Sequence, residues 1–130
     1  MTFLYSIDRD KKLAYITFPE KGGLAESLDV IRQVSADERL GEDFGVLVDA
    51  QATSFAPTLE EARVIASAVS DPDLFLQHQI AVVVSQAVQY GMGNMIAILA
   101  GLKGAAIRVF YEVEEAEAWL RAGHEWGCKN

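Results

Sequence analysis

The sequence predicts a single α/β domain, a mixed five-stranded sheet flanked by four helices in the order ββαβαβαβα. Three observations carry this. Two short, almost wholly apolar runs, Phe44 to Asp49 and Ile80 to Val84, read as strands covered on both faces of a parallel sheet. Between and beyond them, apolar residues recur at helical spacing. The chain opens with two β-rich runs joined by a charged connection of hairpin length. With 130 residues, the chain is long enough to build one core without a disulfide or metal staple.

The first two runs, Phe3 to Ile7 and Leu13 to Phe18, flank Asp-Arg-Asp-Lys-Lys and should pair antiparallel. After Pro19 and Gly22-Gly23, the positions Leu24, Leu28, Ile31 and Val34 mark an amphipathic helix, which frays through 36–40 before Gly41 turns the chain into the strand at Phe44. Thr58 stands three residues before Glu61, a capping box in which each side chain satisfies an orphan backbone donor. The helix it opens carries Leu59, Ala62, Ile65, Ala66 and Val69 on one face. It stops at Ser70, because Pro72 pushes Asp71 out of the helical region.

Ile80 to Val84 is the most apolar strand. Beyond Ser85 and Gln86, a third helix is marked by a main stripe of Val88, Met92, Met95, Ile96, Leu99 and Leu102, with Gly101 and Gly104 ending it. Tyr90, Ala97 and Ile98 add apolar surface away from that stripe, and a helix apolar nearly all round needs a second partner. Ala105 to Tyr111 is the fifth strand. A last helix carries Val113, Ala116, Trp119 and Leu120, with Glu112, Glu114 and Glu115 at the positive end of its dipole. Gly123 reads as its C′ residue, which puts the domain at 1–123 and leaves 124–130 as a loosely held tail. Crossovers of this kind should be right-handed; the spatial strand order stays open.

Hydrophobic residues at 51% and charged ones at 23% describe a globular protein rather than a disordered one. A formal charge of −8, from 19 acids against 11 Lys and Arg, disfavours nucleic acid and anionic membrane surfaces as partners. Cys128 is the only cysteine and gives no sign of an oxidising compartment. The N-terminus lacks an export pattern, so a cytoplasmic location is expected. Residues 79–102 contain no Asp, Glu, Lys or Arg. Ser85, Gln86, Gln89, Asn94 and two glycines interrupt them, so they read as a buried strand joined to a helix rather than a transmembrane segment.

In open α/β sheets, ligand sites gather beyond the carboxyl ends of the strands. Here that region is the loop after the third strand, where Asp49, Thr53, Ser54 and Thr58 crowd together. These polar groups suit a ligand or partner, and Thr58 suits phosphorylation; equally, Asp49 can bind loop amides while Thr58 caps its helix. Phe55, Ser85, Tyr90, Met92 and Met95 complete the candidate binding set. Gly91-Met92-Gly93 is no dinucleotide fingerprint, because residue 96 is Ile. His78 and His124 lie in separate loops and read as surface histidines. No catalytic constellation, metal site or cofactor motif is present in the sequence, and an enzyme is not expected.

Val-Leu-Val-Asp, the Thr-Leu-Glu-Glu helix start, Ile-Ala-Val-Val-Val, Tyr-Gly-Met and Val-Phe-Tyr-Glu-Val-Glu-Glu-Ala-Glu-Ala-Trp-Leu together resemble the bacterial SpoIIAA-like family, also described as STAS/Sec14-like domains. The resemblance spans about residues 3 to 122. It implies a sheet flanked by helices, and relatives of two kinds: anti-sigma-factor antagonists that bind a protein and are switched by phosphorylation, and Sec14-type domains that enclose a lipid. The antagonist motif, Asp-Ser-Ser/Thr-Gly, aligns with Pro57, Thr58, Leu59 and Glu60, so Thr58 alone matches it.

Two functional expectations follow. One is a non-enzymatic regulatory or protein-interaction module, binding another protein or a second copy of itself through the loop from Asp49 to Thr58 and the exposed side of the third helix, Val88 to Leu102. It predicts a fold without a sizeable internal cavity. The other is a carrier or sensor of a lipid or other small apolar ligand, held between sheet and helices by Phe55, Met92, Met95 and Ile96.

Overall fold

The computed structural model describes residues 4–127, and the side chains of residues 4–123. Cys128 and the side chains of His124 and Trp126 lie outside what is described. Strands β1 (Leu4–Asp8) and β2 (Leu13–Thr17) form the expected antiparallel hairpin, with Leu4 opposite Thr17 and Asp8 opposite Leu13. Its connection is set by the Asp8 carboxylate, which accepts the amides of Asp10 and Lys11 at 3.0 and 3.1 Å, the local bonding that makes Asp a turn residue. Strands β3 (Gly45–Asp49), β4 (Gln79–Val83) and β5 (Ala106–Phe110) then add in parallel, and the spatial order is β1-β2-β3-β4-β5.

Spatial order thus equals chain order. Crossovers of one hand then lay every connecting helix on the same face. Helices α1 (Leu24–Ser35), α2 (Leu59–Val69) and α3 (Ala87–Gly101) do so. Val34, Ala66 and Ala100 pack there with Ile16, Val46 and Ile80. The opposite pleat carries Leu13, Leu47, Ala81 and Val83, covered by Ala116 and Leu120 of α4 (Val113–Gly127). Leu13 and Ala14, or Val46 and Leu47, divide between the two clusters because successive strand side chains point to opposite faces.

The helix starts follow the sequence. The Glu61 amide donates to Thr58 Oγ1 at 3.2 Å, and the Thr58 amide donates to Glu61 Oε1 at 2.9 Å. At α1, Glu26 reaches back to the Gly23 amide at 2.7 Å. Helix α2 stops before Ser70, as the proline two residues on requires.

Three expectations are corrected. Helix α4 does not end before Gly123 but runs through it to Gly127. What lies beside Gly123 is the side-chain amide of Gln79 at the start of β4, within a continuing helix and not at a C′ turn. His78 is not a surface histidine. It is buried, with Nδ1 bonded to the Phe44 carbonyl oxygen at 2.8 Å and its ring edge-on to Phe75 at 5.9 Å.

The third correction concerns α3. Of its expected main stripe, Val88, Met95 and Leu102 face outward, exposed at 57%, 37% and 81%, and the fully buried positions are Gln89 and Ala100. The inward line is Gln89, Gly93, Ile96 and Ala100. Gly93 and Ala100 on this line let the helix approach closely: Gly93 sits against Val109 of β5. Among the described residues, no helix is long and apolar enough to cross a membrane.

Candidate functional site

The loop from Ala50 to Thr58 leaves the middle strand of the sheet and crosses its carboxyl edge. Strand pairing puts Asp49 beside Val83, so the loop lies next to the β4–α3 turn. Ser85 Oγ donates to the Gln51 carbonyl oxygen at 3.0 Å, and the Ala50 amide donates to Val83 O at 2.8 Å. Gln89, in the first turn of α3, makes the deepest link. Its Nε2 donates to the carbonyl oxygens of Thr53 and Phe55 at 2.7 and 3.3 Å. Loop and helix are one unit.

Behind that unit is an apolar cavity of about 120 Å³ between the sheet and helices α1, α2 and α3. Ile16, Val48, Val82 and Ile107 supply its floor, Val30 and Ile65 walls from α1 and α2, and Gly93 and Ile96 the wall from α3. Thr53, Phe55 and Pro57 of the loop line its end. Val48 and Val82 are only half-buried although they lie on interior strands; the side chains over them leave the space unfilled. Walls of this kind favour an apolar guest, and an enclosed apolar cavity of about 150 Å³ holds benzene.

The residues singled out from sequence fall into three groups. Thr53 and Phe55 reach the cavity, with Thr53 buried and its Oγ1 accepting the Phe55 amide at 3.1 Å. Asp49, Ser85 and Tyr90 frame the carboxyl edge. The Asp49 carboxylate accepts the Gln51 amide at 3.0 Å, and Tyr90 stacks on Tyr111, ring centres 4.6 Å apart and planes within 6°. Ser54 and Thr58 are exposed on the loop's outer side, where the Thr58 hydroxyl is engaged as a cap. Met92 and Met95 do not line the cavity, whereas Ile96 does.

Gln89 was not legible as a site residue. It counts in the sequence as one of several polar interruptions of an apolar helix, and its position one turn before Gly93, on the face that also carries Ala100, is the signal that distinguishes it. Ser27 lines the cavity too, but its hydroxyl donates to Gly23 O at 2.8 Å and is spoken for.

The site is poor in reactive groups. His78 stands at the amino end of β4, whereas Asp49 ends β3 and Ser85 follows β4 at the opposite edge of the sheet, so the sheet's length separates them. Among the described residues, no group of His, Cys, Asp or Glu is arranged to hold a metal ion. What the arrangement can do is enclose an apolar body and present a few fixed hydrogen-bonding groups at one end of it.

The hairpin, the mixed five-stranded sheet and the ββαβαβαβα order are consistent with a STAS-like fold. Comparison with known proteins finds no matching family model, no matching curated protein and no matching solved structure.

Proposed function

We propose that the chain is a cytoplasmic, non-enzymatic regulatory module that senses a small apolar ligand, of the STAS-like kind that the SpoIIAA-like resemblance implies. The observation that carries this is the apolar cavity of about 120 Å³ between the sheet and its helices, one end of which is lined by the loop that follows β3, in the region where open α/β sheets take their ligands. Its size suits a ring-sized molecule and not an entire membrane lipid. An interaction module alone has no use for such a space, which costs stability while empty.

Native mass spectrometry of protein purified without organic solvent tests the reading, together with thermal unfolding in the presence of benzene, toluene and phenol. A bound small molecule, or a rise in unfolding temperature with ring-sized compounds, is the expected result. Bare protein in every preparation and no thermal response to any ring would remove it.

A second reading concerns the outer face of α3. Val88, Gly91, Met95, Ile98 and Leu102 are all exposed and follow one another at alternating steps of three and four residues, the spacing of a helix-pairing seam. In a chain of net charge −8 this face carries no ionised group, so two copies can approach here without like-charge repulsion. We assign it to self-association. Helix α3 then separates the cavity from the interface, and a ligand that alters its seating would act on both.

A further inference from the structure

Gln89 is 4% exposed, lines the cavity, and carries Oε1, the one buried side-chain polar atom among the described residues that has no hydrogen-bond partner. The orientation of the amide is fixed by its other end. Nε2 donates to two carbonyl oxygens, those of Thr53 and Phe55, and turning the amide over would set Oε1 against both of them. The acceptor is therefore held in place and unsatisfied. A buried acceptor left unpaired is costly, and native proteins rarely keep one without a use.

The geometry points to a ligand with an apolar body and one uncharged hydrogen-bond donor, which the Gln89 carbonyl oxygen receives: a phenol, an indole or a short alcohol. This rests on the small-ligand reading above and sharpens it. A hydrocarbon of the same shape fills the cavity but leaves Oε1 as it is. A carboxylate brings only acceptors to an acceptor, and its charge into apolar walls. An ammonium group offers a donor at the same prohibitive desolvation. Thr53 and Phe55 sit on the loop that closes the site, so a guest bonded to Gln89 is also tied, through that one amide, to the loop and to α3.

Phenol and toluene differ by a hydroxyl in place of a methyl group and are the probes of choice. Their dissociation constants are measured by ligand-observed and protein NMR on the wild type and on Gln89→Met, which keeps the length of the side chain but has no amide. The expected result is that the phenol-to-toluene affinity ratio falls about tenfold in the variant, while benzoate binds neither protein. On wild type alone, phenol should move the 13C resonance of the Gln89 side-chain carbonyl and toluene should not, a readout that survives if Gln89→Met fails to fold. An unchanged ratio, or an unmoved carbonyl resonance with phenol bound, overturns the role of Gln89 and leaves the cavity reading standing. Failure of both compounds to bind wild type overturns the two together.

Discussion

Gly93 of α3 and Val109 of β5 meet so closely that a Cβ on Gly93 would stand 2.9 Å from the Val109 methyl group. Val109 is 4% exposed and sits in a strand, with a branched side chain that has little freedom to move aside. Gly91, two residues earlier, has nothing within 4 Å of an added Cβ. The two glycines therefore predict opposite outcomes. Gly91→Ala should stabilise by about 0.5–1 kcal/mol, because it removes unfolded-state freedom and improves helix propensity. Gly93→Ala should lose that gain to overlap and destabilise by about 1 kcal/mol or more. Urea unfolding of the pair under one condition decides it, and equal effects at both positions would mean that α3 does not seat on β5 as described.

Thr58 is exposed, yet its hydroxyl oxygen and the Glu61 carboxylate each satisfy a backbone donor at the start of α2. Thr58→Ala should cost about 1 kcal/mol, whereas Thr58→Ser, which retains the accepting oxygen, should stay close to wild type. Thermal unfolding separates the two. If both substitutions were silent, the capping box would contribute nothing and the hydroxyl would be free for another role.

The Tyr5 hydroxyl donates to Asp37 Oδ2 at 2.8 Å, and Arg39 holds the same carboxylate through Nε at 3.0 Å and a terminal guanidinium nitrogen at 2.8 Å. The Arg39 side chain first, then its backbone amide and the Tyr5 hydroxyl, keep the Asp37 carboxyl well below the usual carboxylate range. A depressed folded value means stability that is present above the unfolded pKa of about 3.9 and is lost as pH falls below it toward the folded value. Asp37→Asn should accordingly be less stable than wild type from pH 5 to 7, with the difference closing as the pH drops below about 4. Urea titrations across that range test the sign; a gap that stays constant with pH would detach the carboxylate's charge from the effect.

Fold and site were legible to different depths for a physical reason. Strands and helix starts announce themselves locally: the uncharged run ending at Asp49, the charged hairpin connection between the first two strands and the Thr58–Glu61 box each show within a few residues, and each is found as read. Which face of α3 turns inward is not a local matter. With apolar residues on every side of that helix, the choice rests on where β5 allows close approach, and Val109 lies sixteen residues beyond Gly93. The inward placement of Gln89, and the outward placement of Val88, Met95 and Leu102, follow from that contact. Gly123 misled for a similar reason, since the helix continues past it beside Gln79, on a different element.

The outward face of α3 gives a prediction about assembly. Ile98 and Leu102 are exposed at 62% and 81%, so placing a charge on them disturbs no core. Ile98→Glu should leave the unfolding transition near the wild-type value, within about 0.5 kcal/mol, and should weaken self-association seen by sedimentation velocity over a concentration series. Sedimentation of wild type as a monomer at all concentrations, with no change in the variant, would remove the seam as a site of self-association.

The cavity can also be probed by filling it. Val82 lies in β4 with its side chain at the cavity wall and half-buried, so Val82→Ile adds one methylene to space that is otherwise empty. Burying that group should raise the stability of the ligand-free protein by about 0.8 kcal/mol. The same change takes volume from any guest, and the stabilisation a ligand gives falls as its dissociation constant from the folded form rises. Two shifts of opposite sign are therefore expected from one substitution: a higher unfolding temperature without toluene, and a smaller further rise when toluene is added. A cavity already filled by motions of Phe55 or Ile96 would give neither, because the added methylene would then meet atoms instead of space and Val82→Ile would destabilise through overpacking.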